Sequence, residues 1–132
     1  MAEIYTLEGD SRVTLKENGK EVSIKLKRGE GGLIPIIISP ETGSNQDFSD
    51  PTVYNGTWTL TKVGAVAPAA SGVTVAKGVG QQVVLTKADT ANLDIDTYIL
   101  TVGLERNDVG DPTSNFTMER QLGTLTIMPS YL

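Results

Sequence analysis

An all-β antiparallel sandwich is the fold this sequence predicts, on three observations. Short runs of alternating apolar and polar residues recur along the chain, separated by clusters of Gly, Pro, Asn and Asp. The composition, 39% hydrophobic with 14 Gly and 6 Pro, suits short strands joined by tight turns better than packed helices. Finally, the stretch from Gln81 to Val102 reads as strand, single helical turn, Asp-x-Tyr and strand, the way a sandwich hands its chain from one sheet to the other. At 132 residues the chain is expected to be one domain spanning residues 1–132.

In chain order, Arg12–Lys16 and Glu21–Lys27 flank Glu17-Asn18-Gly19-Lys20. Asn-Gly accepts the positive φ angles of a two-residue turn, so a hairpin is expected there. Within its second strand Val22, Ile24 and Leu26 face one way, and Glu21, Ser23, Lys25 and Lys27 the other. Leu33–Ser39 is almost wholly apolar, as expected of a strand covered on both faces by neighbours or by another subunit. Pro40–Asn55 is polar and rich in turn formers, which predicts a long loop or projecting arm. Leu33, Ile34, Ile36 and Ile38, with Phe48 and Tyr54 from the arm, are the candidate protein-interface residues.

Gly56–Val63 alternates Trp58 and Leu60 against Thr57, Thr59 and Thr61, which predicts the lone tryptophan in the core. Ala65–Ser71 is a small-residue linker, after which Val73–Ala76 and Gln81–Leu85 form a hairpin across Lys77–Gly80. Thr86-x-x-Asp89 has the form of a capping box, with the threonine oxygen on a third-position amide and the acid reaching back. One short helical turn follows at residues 87–92. Asp96-x-Tyr98 then opens the most strongly alternating strand, Thr97–Glu105, with Tyr98, Leu100, Val102 and Leu104 inward. The Tyr98 hydroxyl is expected to bond back to the upstream backbone, making Thr86, Asp89, Asp96 and Tyr98 the structural corner. Arg106–Ser114 is a long turn, Phe116–Met128 closes the set, and Gly123 marks a bulge or a close backbone approach. About seven to nine strands at this spacing, with one corner, give an immunoglobulin-like sandwich.

The residues available for chemistry are few. With neither cysteine nor histidine in the chain, Ser-His-Asp, Cys-His, thiolate and His-ligated metal chemistry have no parts to work with. Asp47 and Asp50 sit in a loop without an apolar pocket to raise a carboxyl pKa. Asp89, Asp94 and Asp96, and likewise Asp108, Asp111 and Asn107, lack the spacing and bidentate glutamate of a calcium loop. The expectation is therefore no catalytic residues, no metal site and no cofactor. Gly29-Glu30-Gly31-Gly32 and Gly78-Val79-Gly80 fit no phosphate-cradling template and read as turns.

A net charge of −5 argues against a nucleic-acid partner. The six basic and six acidic residues of the first thirty cancel, leaving the excess negative charge beyond residue 30. Lys25-Leu26-Lys27-Arg28, the one basic cluster, reads as a solvated, edge-protecting strand face. No apolar run reaches membrane-spanning length, and no membrane partner is expected. Met1–Asp10 lacks the basic and apolar parts of a signal peptide, so synthesis and initial residence in a cytoplasm are expected.

Tyr5-x-x-x-Gly9-Asp10, then Gly80-x-x-Val83-x-Leu85-Thr86-x-x-Asp89-Thr90-x-x-Leu93-x-x-x-x-Tyr98, then Gly123-Thr124-Leu125-Thr126-Ile127 carry a family likeness. Together they resemble the N-terminal sandwich domain of phage baseplate upper proteins and related small virion proteins. The likeness covers most of the chain and specifies a corner and a final strand, not a site. It implies a non-enzymatic virion structural protein, made in the host cytoplasm, that decorates or cements the capsid or acts as a tail or baseplate adaptor. Baseplate upper proteins continue beyond the sandwich whereas this chain ends at Leu132, which favours a free-standing docking subunit. The partners expected are the major capsid or tail proteins and, from the apolar Leu33–Ile38 run, the chain itself as a homotrimer. The alternative is a carbohydrate- or cell-surface-binding module on the same fold. That module needs exposed aromatic rings for sugar stacking, and aromatics are 5% of this chain.

Overall fold

The computed structural model describes residues 5–9, 15–17, 22–30, 32–40 and 47–129, with side chains for 23–30, 36–40 and 47–129 apart from 114. These residues form strands β1 (Tyr5–Gly9), β2 (Leu15–Glu17), β3 (Val22–Lys27), β4 (Gly32–Pro40) and β5 (Tyr54–Lys62). There follow β6 (Ala70–Val73), β7 (Val75–Lys77), β8 (Gly80–Leu85), a short helix α1 (Lys87–Ala91), β9 (Thr97–Arg106) and β10 (Phe116–Met128). They assemble as two five-stranded sheets, ordered β2-β1-β4-β8-β7 and β3-β10-β9-β5-β6. One apolar core is shared between them: Ile36, Ile38, Val83 and Leu85 come from the first sheet, and Trp58, Leu60, Tyr98, Leu100, Leu125 and Ile127 from the second. The fold is an all-β two-sheet sandwich.

Two pairings depart from the purely antiparallel expectation. β1 runs parallel to β4, with Tyr5 opposite Ile36, and β3 runs parallel to β10, with Ile24 opposite Leu125. The two strands of the expected hairpin also part: β2 pairs with β1 in the first sheet, whereas β3 joins the second. Asn18-Gly19 therefore does not close a hairpin between these strands, although the turn residues themselves lie outside the described set. A turn signal is local, but strand partnership is set by burial. Ile24 and Leu26 pack against the core from the edge of the second sheet, a position unavailable to a strand paired with β2.

β4 is irregular where its sequence demands it. Leu33 faces Val84 and Ile37 faces Gln82, so β4 runs four residues while β8 runs two. Pro35, which has no amide to donate, falls inside this irregularity. Beyond it Ile36 and Ile38 are fully buried while Ile37 and Ser39 stay half-exposed, so β4 has one core face and not two. The predicted strand around Val73–Ala76 also divides. β6 pairs with β5 and β7 with β8, the chain changing sheets at Thr74. The β7–β8 hairpin turns on Gly78 at φ +60, the first central position of a type II′ turn.

In β10 the register slips between Gln121 and Gly123, inserting Leu122 as an extra residue, with Gly123 at φ +149. The bulge reverses the phase of the strand. Phe116 and Met118 turn to the core before it, and Leu125 and Ile127 after it. Trp58 is 2% exposed beneath Gly72, where an added Cβ would stand 2.6 Å from the indole. Its indole N–H has no hydrogen-bond partner among the described residues.

Trp58 emission should accordingly be blue-shifted and resist acrylamide quenching, and Trp58→Ala should cost about 3–5 kcal/mol in urea unfolding. At Gly80 an added Cβ would overlap the Ile38 carbonyl oxygen on β4, a backbone atom that cannot swing aside. Gly80→Ala is therefore expected to cost about 3 kcal/mol, the upper end of ordinary overpacking. A neutral Gly80→Ala would place β8 farther from β4 than described here.

Candidate functional site

At one end of the sandwich the chain leaves β8 and enters β9 through α1. Thr86 caps the helix: its Oγ1 accepts from Asp89 N at 3.2 Å, while Thr86 N donates to Asp89 Oδ2 at 2.7 Å. The Tyr98 hydroxyl, buried at the start of β9, donates to Asp94 O at 2.8 Å. That bond pins the loop back onto the strand it precedes. Asp96 accepts from Thr97 N with its side chain, and its carbonyl accepts from Ile127 N on β10. Lys62 from β5 reaches Asp94 at 3.1 Å and Asp96 at 3.6 Å, and the hydrogen bond to Asp94 raises the lysine above its usual pKa. From the other side Arg28 donates to Ala91 O at 3.1 Å, and the Thr90 hydroxyl donates to Glu30 O. The aspartates considered for a metal are thus occupied as a cap, a loop acceptor and lysine partners.

A second polar cluster closes the opposite end. Arg106 continues the inward phase of β9 and is 8% exposed. Its Nη1 donates to Asp111 O and Asn115 Oδ1, both at 3.2 Å, and its Nη2 to Asp108 Oδ2 at 3.1 Å. Asp111 adds a carboxylate oxygen at 3.8 Å, and the guanidinium lies 6.0 Å from the centre of the Tyr54 ring. Asn115 Oδ1 also accepts from Asp108 N at 2.8 Å. The loop is therefore built around a buried cation, and Asp108 and Asp111 neutralise it. Beside it lies an open cleft of about 330 Å³, lined by Glu105, Arg106, Asn107, Asn115, Phe116 and Thr117. Both terminal guanidinium nitrogens are already engaged with the protein.

Four of the six expected interface residues lie inside the chain's own core. Ile36, Ile38 and Phe48 are fully buried and Tyr54 is 4% exposed, all within this chain's own core. For Leu33 and Ile34 the backbone in β4 is described but the side chains lie outside the described residues. Phe48 is held from three sides: its N–H donates to Val79 O, its carbonyl accepts from Gln81 Nε2, and its ring centre is 4.8 Å from that of Tyr54. The Asp47–Val53 stretch is consequently docked against both sheets and is not a projecting arm; residues 41–46 lie outside the described residues. Asp47 and Asp50 each accept from the amide and hydroxyl two residues on, Ser49 and Thr52, and those bonds hold the Asp50 pKa below its usual value.

Among the described residues no three acidic side chains converge as a metal site would require, and no helix is long and apolar enough to cross a membrane. Arg106 and Asn115 are the structural residues that the sequence reading missed. The inward alternation from Tyr98 through Leu104 does reach residue 106, and that was the available signal. The chain matches no family model and no curated protein.

Tyr98→Phe should keep the fold and cost about 1 kcal/mol, the net worth of one such hydrogen bond. Burial raises the Tyr98 pKa above 10.0. Its contribution is therefore complete below pH 10.0 and lost as pH climbs through the folded value, so Tyr98→Phe should soften the alkaline loss of stability. Arg106→Met should cost about 2–3 kcal/mol, because the buried acceptors around it lose a charged donor. Unchanged urea midpoints would remove both roles.

Proposed function

We propose that this chain is a phage virion structural protein on an immunoglobulin-like sandwich, decorating or cementing the capsid or serving as a tail or baseplate adaptor. The observation that carries the reading is the pattern from Gly80 to Tyr98 and from Gly123 to Ile127. These residues supply the close β4–β8 approach, the helix cap, the tyrosine bond and the bulge of β10. What resembles the virion family is a set of joints that stiffen a sandwich, and a docking subunit needs such stiffness. The absence of His and Cys agrees with a non-enzymatic role. The sugar-binding alternative has less support, because among the described residues Trp58, Phe48, Tyr54 and Tyr98 are buried, leaving half-buried Phe116 in the cleft as the one ring within reach.

In this reading the protein is made in the host cytoplasm, ends in the particle, and binds itself and the major capsid or tail proteins. Of the apolar run, Ile36 and Ile38 serve the chain's own core. The Asp47–Val53 part of the expected arm is docked on this chain, which leaves outer sheet faces for attachment. Purified particles lacking the protein, mixed with the recombinant chain, should carry it through a sucrose gradient at a fixed stoichiometry that saturates. A chain that stays at the top of the gradient with capsids and with tails alike would overturn the reading.

A further inference from the structure

The outer face of the β3-β10-β9-β5-β6 sheet carries its charge in an unusual distribution. Its centre is uncharged: Thr59 and Thr61 on β5, Ile99 and Thr101 on β9, and Thr124 on β10 cover it, all half-buried in the sheet surface. Among the described residues, the charged side chains on this face are Lys25 and Lys27 at one end and Glu105 and Glu119 at the other. High β-propensity explains threonine on a wet sheet face. It does not explain a 20%-charged chain clearing the middle of that face and sorting the remainder by sign.

The strand register makes the face complementary to itself. Lys25 lies level with Thr126 and hence Thr97, while Glu119 lies level with Gly103. Midway along β9 between those levels is the point between Ile99 and Thr101. Lys27 is level with Met128, two residues beyond Thr126, and Glu105 pairs with Thr117; their midpoint is the same point. A two-fold axis across the strands there would set each lysine at the level of an opposite-sign glutamate of a second copy. The lateral offset is one or two strands, about 5–10 Å, within reach of these side chains and of the tilt usual between packed sheets. Nine residues of β5 and five strands outline roughly 700 Å², close to the about 800 Å² each partner buries in a standard interface.

We propose that this face is the interface of a two-fold symmetric homodimer, in which two copies pack their β3-β10-β9-β5-β6 sheets back to back. Burying a neutral threonine plain strands no charge, and the flanking pairs set orientation and suppress the wrong register. The inference does not rest on the virion reading.

Sedimentation equilibrium of the intact chain from micromolar to millimolar concentration tests it. Wild type should fit a monomer–dimer equilibrium that weakens at about 0.5 M salt. Lys25→Glu and Glu119→Lys, both at exposed positions, should each raise the dissociation constant at least about tenfold while leaving unchanged the thermal midpoint measured at concentrations where the chain is monomeric. Mixed together, these two variants should form a heterodimer about as tight as wild type, because every opposed pair is again of opposite sign. Thr101→Lys at the centre should abolish the dimer. A monomer throughout, a trimer, a dimer indifferent to Thr101→Lys, or variants that fail to rescue one another would each overturn the proposal. Should a charge variant fail to fold, the salt dependence and Thr101→Lys decide it alone.

Discussion

Each passage of the chain from one sheet to the other carries backbone polar groups past a dry interior, and the closing of those passages governs the rest of the structure. The chain has no disulfide to hold them. It uses short side chains that bond locally. At Thr74 the amide extends the β5–β6 ladder to Gly56 O, while the hydroxyl meets Gln81 of the other sheet. Gln81 in turn donates to Phe48 O, so the passages between β4 and β5 and between β6 and β7 share one buried amide. The passage through α1 is closed by its capping box and by Tyr98, and the β3–β4 turn leans on the same helix through Arg28 and Thr90. Loss of the Gln81 amide leaves the buried Phe48 carbonyl unsatisfied, which costs more than the bond itself was worth.

What was legible in the sequence was what local chemistry decides. The corner could be read because a capping box and an Asp-x-Tyr step are specified by neighbours a few residues apart. β5 and β9 could be read because each has a single inward face with period two. The partners of β2 and β3 could not: Asn18-Gly19 announces a turn, but the sheet to which each strand belongs is settled by burial of Ile24 and Leu26 against a strand a hundred residues away. Phe48 was hidden for a related reason. In a polar, turn-rich segment a lone phenylalanine reads as an interface residue until its bonds to Val79 and Gln81 show where it is anchored. Arg106 was passed over because a charged residue at a strand end is ordinarily solvated, whereas here two aspartates and an asparagine follow it into the loop.

These joints also shape the functional reading. Polar side chains that another protein would aim at a ligand are spent here on fixing loops to strands, and the apolar residues near the arm are spent on the core. Interaction is left to outer faces whose chemistry is plain: threonine, a few valines at edges and loop tips, and charges sorted by sign. Such surfaces suit broad, flat contacts, and in the cleft beside Arg106 both terminal guanidinium nitrogens are already engaged with the protein.

The central claim, that the inter-sheet passages are closed as tightly as the strands they join, is most directly tested by native-state hydrogen exchange. The amides of Phe48, Thr74 and Asn107, bonded to Val79 O, Gly56 O and Val53 O at 2.8, 3.0 and 2.8 Å, are the reporters. If the account is right they exchange only with global unfolding, with the same free energy and denaturant dependence as Leu100 in the centre of β9. Exchange of these three through local opening, while Leu100 stays protected, would contradict it.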